Sequence, residues 1–251
     1  MILAIIQARL GSTRLPNKVL MDLNGKTILE RVIDRMRACT LIDKVMVASA
    51  VSKENDKLGS LCGKIGVEIY RGSENDVLDR FYQASKPLNP EHVVRITADC
   101  PLLDPKIIDR VIKTHLDTKS DYTSNVLKES FPDGEDVEIF KFSVLEKAWN
   151  NAKLGSEREH VTPYIKKNPG LFKLTNVEND VNLGHKRWTV DEPRDYEFVK
   201  TIYEALGNKL NFGMEDVLVY LESHPEIEKL NSEISRNEGY VKSIQQDKTI
   251  Q

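Results

Sequence analysis

The sequence contains few cysteines, no long apolar run and no excess of either charge. Its three cysteines, Cys39, Cys62 and Cys100, are too few and too scattered for a disulfide framework or a zinc site, so we expect reduced thiols. No stretch approaches the roughly 18 apolar residues of a membrane span. The apolar residues 1–6 lack the basic leader and the length of a secretory signal. These absences predict a cytoplasmic protein without membrane contacts.

The charges of the chain nearly balance. It carries 36 Lys and Arg against 39 Asp and Glu, a net charge of -3, so a broad basic face for nucleic acid is not expected. The composition is 40% hydrophobic and 30% charged, which fits a globular protein with a sizeable core. A length of 251 residues suits one α/β domain with a short appendage.

The first half alternates apolar runs with amphipathic segments. The apolar runs, typical of strands in a parallel sheet, lie at residues 2–6, 44–49, 67–70 and 92–97. The segments with helical spacing lie at residues 28–36, 55–64, 76–85 and 105–116. Four such alternations predict an α/β fold with a doubly wound, mostly parallel sheet.

The second half has a mixed pattern. Strands are predicted at residues 121–125, 137–140, 171–177 and 187–190. Helices are predicted at residues 143–151, 157–167, 193–206, 214–222 and 227–236, followed by a polar tail from Lys242. No linker or internal repeat divides the chain. We therefore interpret residues 1–206 as a catalytic domain and residues 207–251 as a small C-terminal helical extension of it.

The loop at residues 7–18 follows the first predicted strand. It carries Arg9, Arg14 and Lys18, with Gly11 and Ser12 between them. Ligands of an open parallel sheet bind beyond the carboxyl ends of its strands. A polyphosphate needs several cations together with backbone N–H groups that small residues leave accessible. The loop matches neither the Walker nor the dinucleotide-binding pattern. We predict a phosphate-binding loop; the alternative is a solvated loop with ordinary surface cations.

Asp99 follows the fourth predicted strand, in the sequence RITADCPLL. A carboxylate at a strand's end can hold a divalent cation that bridges nucleotide phosphates. The alternative is a turn or helix cap. In company with the loop at residues 7–18, the metal-binding interpretation is favoured.

The string QARLGSTRLPNKVL resembles the A-R-x-x-S-x-R-L-P-x-K signature of the cytidylyltransferases that make CMP-sugars, notably those that activate 3-deoxy-manno-octulosonate and sialic-type acids. Lys18 lies two residues after Pro16, whereas the related sugar-1-phosphate nucleotidyltransferases place their lysine farther from the proline. Asp99 occupies the place of the family's G-D-x-P-L aspartate, with Ala98 where glycine is common. The resemblance implies the Rossmann-like fold of nucleotide-diphospho-sugar transferases and Mg²⁺ as cofactor.

The resemblance also assigns residues to roles. Arg9, Lys18 and Asp99 are implied to be catalytic. Asp191, in a segment that resembles the family's closing D-x-x-x-D motif, is implied to be the second metal ligand beside Asp99, although it also suits a plain helix N-cap. Asp195 is interpreted as structural. The residues implied to bind the nucleotide are Gln7, Ala8, Arg9, Gly11, Ser12, Arg14, Lys18, Arg71 and Arg80.

The roles of Arg71 and Arg80 are open at this point. They lie in a segment that resembles the family's approach to a D-R pair in the nucleotide pocket, but the usual S-G-T is absent. The alternative is a surface network in which they pair with Asp76 and Asp79.

The second half resembles a narrower relative, the spore-coat polysaccharide type of cytidylyltransferase. The matching segments are DYTSN at residues 121–125, FPDGEDVE at 131–138, REHVTPY at 158–164 and RNEGYVKS at 236–243. The resemblance implies that this half of the chain forms the acceptor pocket and a homodimer contact. The implied acceptor-binding residues are Asn125, Asp136, Glu138, Arg158, His160 and Arg187. His160 alone on its helix also suits a structural role.

These observations predict a nucleotidyltransferase that transfers CMP from CTP to an acidic sugar, of sialic or octulosonate type, for surface polysaccharide or glycoconjugate synthesis. The predicted partners are therefore CTP, the acceptor and a second copy of the chain. CTP rather than UTP follows from the resemblance only. Two alternatives stay open: a nucleotide-sugar-dependent glycosyltransferase, which usually carries a D-x-D pair that Thr97-Ala-Asp99 lacks, and a non-catalytic nucleotide-binding relative.

Overall fold

A seven-stranded sheet forms the centre of the molecule. In the computed structural model the described residues are 1–207, 209, 212–236 and 238–249, so part of the predicted extension at 207–251 lies outside them. The strands of the central sheet are β1 (Ile2–Gln7), β4 (Lys44–Ala50), β5 (Glu68–Gly72), β6 (His92–Thr97), β7 (Tyr122–Ser124), β8 (Glu138–Lys141) and β9 (Leu174–Asn176). A separate hairpin pairs β2 (Asp22–Leu23) with β3 (Lys26–Thr27).

The spatial order of the sheet is β5-β4-β1-β6-β8-β7-β9. The first four of these strands are mutually parallel. β1 lies between β4 and β6, and Gln7 at its end is in register with Ala48 on one side and Thr97 on the other. The loops after these three strands therefore leave the sheet at the same edge. The predicted doubly wound, mostly parallel sheet is confirmed.

The second half of the chain extends the same sheet. β8 runs antiparallel to both β6 and β7, and β9 runs parallel to β7. In this part the register brings Glu138 opposite Arg95 of the central parallel strand β6. The pairing places the carboxylate of Glu138 beside the guanidinium of Arg95 inside the sheet. Both residues line a cavity described below.

Helices cover both faces of the sheet. They are α1 (Ile28–Arg37), α2 (Asp56–Ile65), α3 (Val77–Ser85), α4 (Pro105–Thr118), α5 (Phe142–Asn151), α6 (Gly155–His160), α7 (Pro163–Lys167), α8 (Pro193–Leu206), α9 (Met214–Ser223), α10 (Pro225–Glu228) and α11 (Glu238–Gln245). Helix α1 begins at the predicted capping box, in which Thr27 and Glu30 bond to each other's backbone N–H groups. No helix among the described residues is long and apolar enough to cross a membrane.

The apolar core has three parts. One cluster packs α1, α2 and α4 on one face of the sheet, and a second packs α3 and α5 on the other. A third cluster surrounds the fully buried Trp188 and includes residues of α8 together with Val217 and Leu221 of α9. The extension therefore shares an apolar core with the residues before 207.

Several boundaries differ from the sequence predictions. Residues 187–190 form no strand, because their backbone is bonded to the loop at Asp133 through an isolated bridge. Gly134 permits this approach: its φ is +115°, and a Cβ there would lie 2.7 Å from the Thr189 nitrogen. The helix predicted at 157–167 breaks at Val161, whose φ is +70°, and becomes α6 and α7.

Two predictions near the C-terminus are also corrected. The helix predicted at 227–236 ends at Glu228. A polar tail was predicted from Lys242, but this residue lies within α11, which extends to Gln245. Both errors concern short, weakly apolar segments, in which contacts with the rest of the protein decide the backbone conformation.

Candidate active site

The loop at residues 8–17 is fixed by a buried anchor. Leu10 is fully buried; its N–H donates to the Asn55 side chain at 3.0 Å, and its carbonyl accepts from the Asn17 N–H. Asn17 has a left-handed backbone, with φ of +58°, which turns the chain into a short 3₁₀ helix at Lys18–Leu20. The neighbouring Arg9 and Gly11 line an open cleft. Asn55 is a supporting residue that the sequence reasoning missed.

Lys18 joins the two predicted metal ligands. Its Nζ lies 2.6 Å from Asp99 Oδ2 and 2.7 Å from Asp191 Oδ1, and it donates to the Val190 carbonyl at 2.7 Å. The Lys18 side chain is only 9% exposed, whereas Asp99 and Asp191 are each about a quarter exposed. The two carboxylates, which are 92 positions apart in the sequence, thus converge on one ammonium group at the edge of the cleft.

The pKa values follow from this pairing. Burial alone raises the pKa of Asp99, but the charge of Lys18 outweighs burial and lowers this pKa to about 2. Burial alone lowers the pKa of Lys18, but Asp99 and Asp191 raise it above its ordinary value. Lys18 and Asp99 are therefore both ionised near neutral pH. The helix-cap alternative for Asp99 is wrong, because Asp104 caps α4, whereas Asp99 does lie in the turn that follows β6.

Asp191 is oriented by its neighbours. Arg14 Nη2 lies 3.1 Å and Arg187 Nη2 lies 3.4 Å from Asp191 Oδ2. Asp195 accepts from the Asp191 N–H and bonds the Arg187 guanidinium through both carboxylate oxygens. The N-cap of α8 is Glu192, so the alternative role of Asp191 as that N-cap is wrong. Its carboxylate is available to the cleft.

The cleft has a volume of about 440 Å³. It brings together eight of the predicted site residues, whereas Ala8 is buried and does not line it. The residues that line it are Gln7, Arg9, Gly11, Ser12, Thr13, Arg14, Lys18, Val19, Thr97, Ala98, Asp99, Asp191 and Gly239. Backbone groups, three cations and two carboxylates on one surface suit a nucleotide triphosphate.

Arg71 and Arg80 do not line this cleft. Arg71 pairs with Asp56 at 2.7 Å and donates to the Ser52 carbonyl. Arg80 is fully buried and donates to the Ser73 carbonyl, while its Nε and Nη2 have no hydrogen-bond partner among the described residues. Burial, and then the charge of Arg9, lower the pKa of Arg80. The surface network with Asp76 and Asp79 is therefore not formed, and Arg80 adds positive charge behind Arg9.

A second cavity of about 350 Å³ adjoins the cleft and shares Thr97 with it. Three of the predicted acceptor residues, Asp136, Glu138 and His160, lie in its walls. Its lining residues are Arg95, Thr97, Val126, Glu129, Asp136, Glu138, His160, Thr162, Pro163, Lys166, Arg236 and Tyr240.

Glu138 organises the floor of the second cavity. One carboxylate oxygen accepts from the hydroxyls of Tyr122 and Thr162, both at 2.6 Å, and the other accepts from Arg95 at 2.5 Å. Lys166 lies 3.5 Å away. Burial alone raises the pKa of Glu138, but Lys166 and Arg95 lower it to about 2. Glu138 is a permanent anion that positions two cations.

A group of carboxylates surrounds Arg236 on the opposite wall. Arg236 donates to Asp136 at 2.6 Å and lies 3.3 Å from Glu129 and 3.8 Å from Asp133. Burial raises the pKa of Asp136, against the attraction of Arg236. Burial and the repulsion of Asp136 raise the pKa of Asp133 to about 7.

The other three predicted acceptor residues lie outside the walls of this cavity. Asn125 is buried and clamps a loop through the Glu135 carbonyl and the Val137 N–H. Arg187 supports Asp191, as described above. Arg158 donates to Asp76 through Nε and Nη2, at 2.9 and 2.5 Å.

Nine of the twelve residues that line the second cavity were not predicted from the sequence, among them Arg95, Lys166, Arg236 and Tyr240. Arg95 had a usable signal, because a charged residue inside the apolar run HVVRIT must find a partner when the strand is buried. Arg236 and Tyr240 lie in the matched segment RNEGYVKS, to which no role was assigned. Lys166, Arg236 and Tyr240 lie on short helices or turns whose position depends on the tertiary structure.

The site suits a divalent cation that arrives with a nucleotide. The described residues contain no group of three or more His, Cys, Asp or Glu that could hold a metal by themselves. Mg²⁺, however, usually takes one or two carboxylates and completes its coordination with water and substrate phosphates. Asp99 and Asp191 already share one positive group at 2.6 and 2.7 Å, so the donor set fits.

A parallel sheet whose strand ends gather cations and two carboxylates fits a nucleotidyltransferase. The family model described as cytidylyltransferase matches residues 3–239. The chain therefore belongs to the cytidylyltransferase family, whose members transfer the CMP group of CTP to an acceptor. The expected resemblance is confirmed.

Relatives match along most of the chain. An uncharacterised protein of Methanocaldococcus jannaschii is 39% identical over 95% of this chain and 97% of its own length. The spore coat polysaccharide biosynthesis protein SpsF of Bacillus subtilis is 32% identical over 90% of this chain and 95% of its own. A cytidylyltransferase structure from Leptospira borgpetersenii has a TM-score of 0.85 at 33% identity and covers 90% of this chain and 96% of its own.

More distant structures share the fold. A CMP-2-keto-3-deoxy-manno-octonic acid synthetase in complex with CTP has a TM-score of 0.59 at 15% identity, covering 81% of this chain and 98% of its own. Rv0371c of Mycobacterium tuberculosis, in complex with manganese, has a TM-score of 0.56 at 14% identity, covering 80% of this chain and 98% of its own.

Proposed function

We propose that this cytidylyltransferase transfers CMP from CTP to an acidic sugar and releases pyrophosphate. The observation that carries the proposal is the convergence of Lys18, Asp99 and Asp191 at a cleft that opens, through Thr97, into a second polar cavity. CTP occupies the first space and the acceptor occupies the second.

The reaction needs positioning and charge neutralisation rather than an enzyme-bound intermediate. Arg9, Arg14 and Lys18 gather the phosphates of CTP. The acceptor's anomeric hydroxyl, held in the second cavity, attacks the α-phosphate, and pyrophosphate leaves on the opposite side. A Mg²⁺ ion held by Asp99 and Asp191 would supply Lewis-acid stabilisation of the phosphate charge; the manganese complex of the distant Rv0371c supports a divalent cation in this fold.

The acidity of the acceptor is supported by the cations of the second cavity. Lys166 is 30% exposed and only loosely paired with Glu138, at 3.5 Å. Arg95 and Arg236 line the same cavity, and each is paired with one of its carboxylates, Glu138 and Asp136. These groups suit a carboxylate on the sugar. The name of the spore coat polysaccharide biosynthesis protein SpsF supports a role in surface polysaccharide synthesis, and the distant CMP-2-keto-3-deoxy-manno-octonic acid synthetase supports a sugar acid as acceptor.

The proposal is tested by incubating the protein with CTP, Mg²⁺ and either 3-deoxy-manno-octulosonate or N-acetylneuraminate. We expect pyrophosphate release that depends on the acceptor, and a CMP-sugar of the corresponding mass. The Asp99→Asn variant is the control for contaminating activity. Absence of product with both acids and a panel of further hydroxy acids would contradict the acidic acceptor, and faster reaction with UTP would contradict CTP.

The two alternatives predict different results. A glycosyltransferase would consume a preformed nucleotide-sugar and release no pyrophosphate from CTP, and a nucleotide sensor would bind CTP without turnover. The homodimer and the cytoplasmic location stay predictions; light scattering after size-exclusion chromatography tests the first and fractionation of cells tests the second.

A further inference from the structure

The C-terminal segment, defined here as residues 236 and 238–249, runs across both cavities. Gly239 lines the nucleotide cleft, whereas Arg236 and Tyr240 line the second cavity. These residues are more than 130 positions away in the sequence from the strand β6 that separates the two spaces. The segment is therefore placed to contact both substrates.

The far end of the segment is tied to α6. Asp247 accepts from the Ser156 N–H at 2.9 Å and from its hydroxyl at 2.6 Å. The carbonyl of Lys248 accepts from the Gly155 N–H at 3.0 Å, and Thr249 forms a bridge with Leu154. Three hydrogen bonds and this bridge thus hold the far end in place.

The middle of the segment packs against the wall of the second cavity. Ser243 donates to Glu159 at 2.8 Å and lies 3.0 Å from His160 Nε2. The ring of Tyr240 meets the ring of His160 edge to face, with centroids 5.0 Å apart. Burial lowers the pKa of His160 to about 4, so the imidazole is neutral near neutral pH, and its Nε2 shares a hydrogen bond with the Ser243 hydroxyl. His160 therefore contacts two residues of α11 and helps to fix the position of this helix.

The near end is held by Arg236, through Asp136 at 2.6 Å and the Phe131 carbonyl at 3.2 Å. Arg236 Nε lies 3.3 Å from a Glu129 carboxylate oxygen, and the Arg236 side chain lines the second cavity. Tyr240 is partly exposed, and it offers a ring face and a hydroxyl, the groups with which proteins often hold a sugar ring and its hydroxyls. Between two fixed ends, these side chains have little freedom to leave the cavity.

We propose that the C-terminal segment completes the acceptor pocket and that Arg236 and Tyr240 contact the bound sugar and determine which sugar is accepted. This inference rests on the proposed function of the second cavity. In it, Tyr240 packs on the sugar ring and Arg236 donates to the sugar's carboxylate or hydroxyls, while Gly239, without a side chain, leaves room for the nucleotide.

The test compares Tyr240→Ala and Arg236→Lys with a matched control on the same helix. Val241→Ala is that control, because Val241 is the next residue and is 49% exposed. With CTP and 3-deoxy-manno-octulosonate or N-acetylneuraminate, whichever the wild type uses, we expect each of the first two variants to raise the acceptor KM by about ten-fold or more. We expect the KM for CTP to stay within about two-fold, and Val241→Ala to match the wild type.

A purely structural role of the segment predicts another result. It would lower the melting temperature and raise both KM values together, and this outcome overturns the inference. An unchanged acceptor KM in an active Tyr240→Ala variant overturns it as well. A wild type that makes no CMP-sugar overturns the proposed function instead, so the two failures are distinguishable.

Hydrogen exchange supplies a readout that does not depend on turnover. With CMP present in place of CTP, addition of the same sugar acid should slow amide exchange in residues 238–249 of the wild type and much less so in Tyr240→Ala. Equal exchange with and without the sugar at saturating concentration contradicts contact with the segment.

Discussion

The two cavities are built in different ways. The nucleotide cleft takes most of its lining from the loops after β1 and β6, which leave the sheet at one edge because the strands are parallel and in register. The second cavity takes its lining from β6, β8, the segment around α6 and α7, and the C-terminal segment. The first follows from the topology of neighbouring strands, whereas the second needs four separate parts of the chain to meet.

The charges of the two cavities also differ in organisation. In the cleft, Lys18 balances Asp99 and Asp191, and Arg14 adds a further cation at the exposed edge. In the second cavity the cations Arg95, Lys166 and Arg236 are each paired with a carboxylate of the same wall. This difference fits the proposal that the cleft takes one highly charged ligand and that the second cavity takes a polyhydroxylated one.

The largest effect is expected from Asp99→Asn, which removes a charge from the cleft only. Turnover should fall by at least about 100-fold, because an electrostatic contribution to the transition state is lost. Steady-state kinetics measure the loss, and circular dichroism should show an unchanged fold. Normal turnover would contradict the metal-binding role of Asp99.

A smaller effect, confined to the second cavity, is expected from Glu138→Gln. The amide cannot hold Arg95 and Lys166 as the carboxylate does, so the acceptor KM should rise by about ten-fold while the KM for CTP changes little. Glu178→Gln, at an exposed pair with Lys128, is the control. A parallel rise in both KM values would show that the two cavities are not independent.

Arg158→Ala sharpens the boundary of the second cavity. The guanidinium pairs with Asp76 and lies outside that cavity. We expect both KM values to stay within about two-fold, since distant sites act independently, with a loss of about 1 to 3 kcal/mol in unfolding free energy. Urea denaturation and kinetics measure these quantities, and a selective rise in the acceptor KM would restore the acceptor-binding role predicted from the sequence.

The last prediction concerns stability rather than catalysis. It involves a group of side chains between β6 of the parallel half and β7 of the second half. His115 bonds Thr123 of β7 at 2.9 Å and His92 of β6 at 3.1 Å. Burial, and then the charges of His92 and Lys141, lower the pKa of His115 to about 4. This pKa is below the ordinary 6.5. Neutral His115 therefore contributes to the unfolding free energy above about pH 6.5, and this contribution is lost as the pH falls towards 4.

We expect the titration of His115 to make the unfolding free energy of the protein about 2 kcal/mol lower at about pH 5 than at about pH 7.5. Urea denaturation at both pH values measures this difference. In His115→Gln the difference should shrink by most of that amount; an unchanged pH dependence would assign it to other groups, such as His92, whose pKa burial also lowers.

Local pattern was sufficient for the parallel half and for the cleft. The apolar runs at residues 2–6 and 92–97 became β1 and β6, because a strand buried on both faces has a continuous apolar signature. Seven of the eight predicted residues that line the cleft lie at or after the ends of β1 and β6, where a parallel strand fixes their location; Asp191, which lies just before α8, is the exception. The strand predicted at residues 187–190 is not formed. These residues bond to the backbone of Asp133 and pack into the core around Trp188, so their apolar pattern does not come from a sheet.

By itself, the sequence determined the order of strands and helices in the first half, and the chemical groups available at the ends of the strands. Only the tertiary structure decided that Lys18 meets Asp191 across 173 positions, that Glu138 holds Arg95, and that Arg236 and Tyr240 reach the second cavity. The physical reason is range: periodicity and turn chemistry act over a few residues, whereas these contacts depend on how complete elements pack.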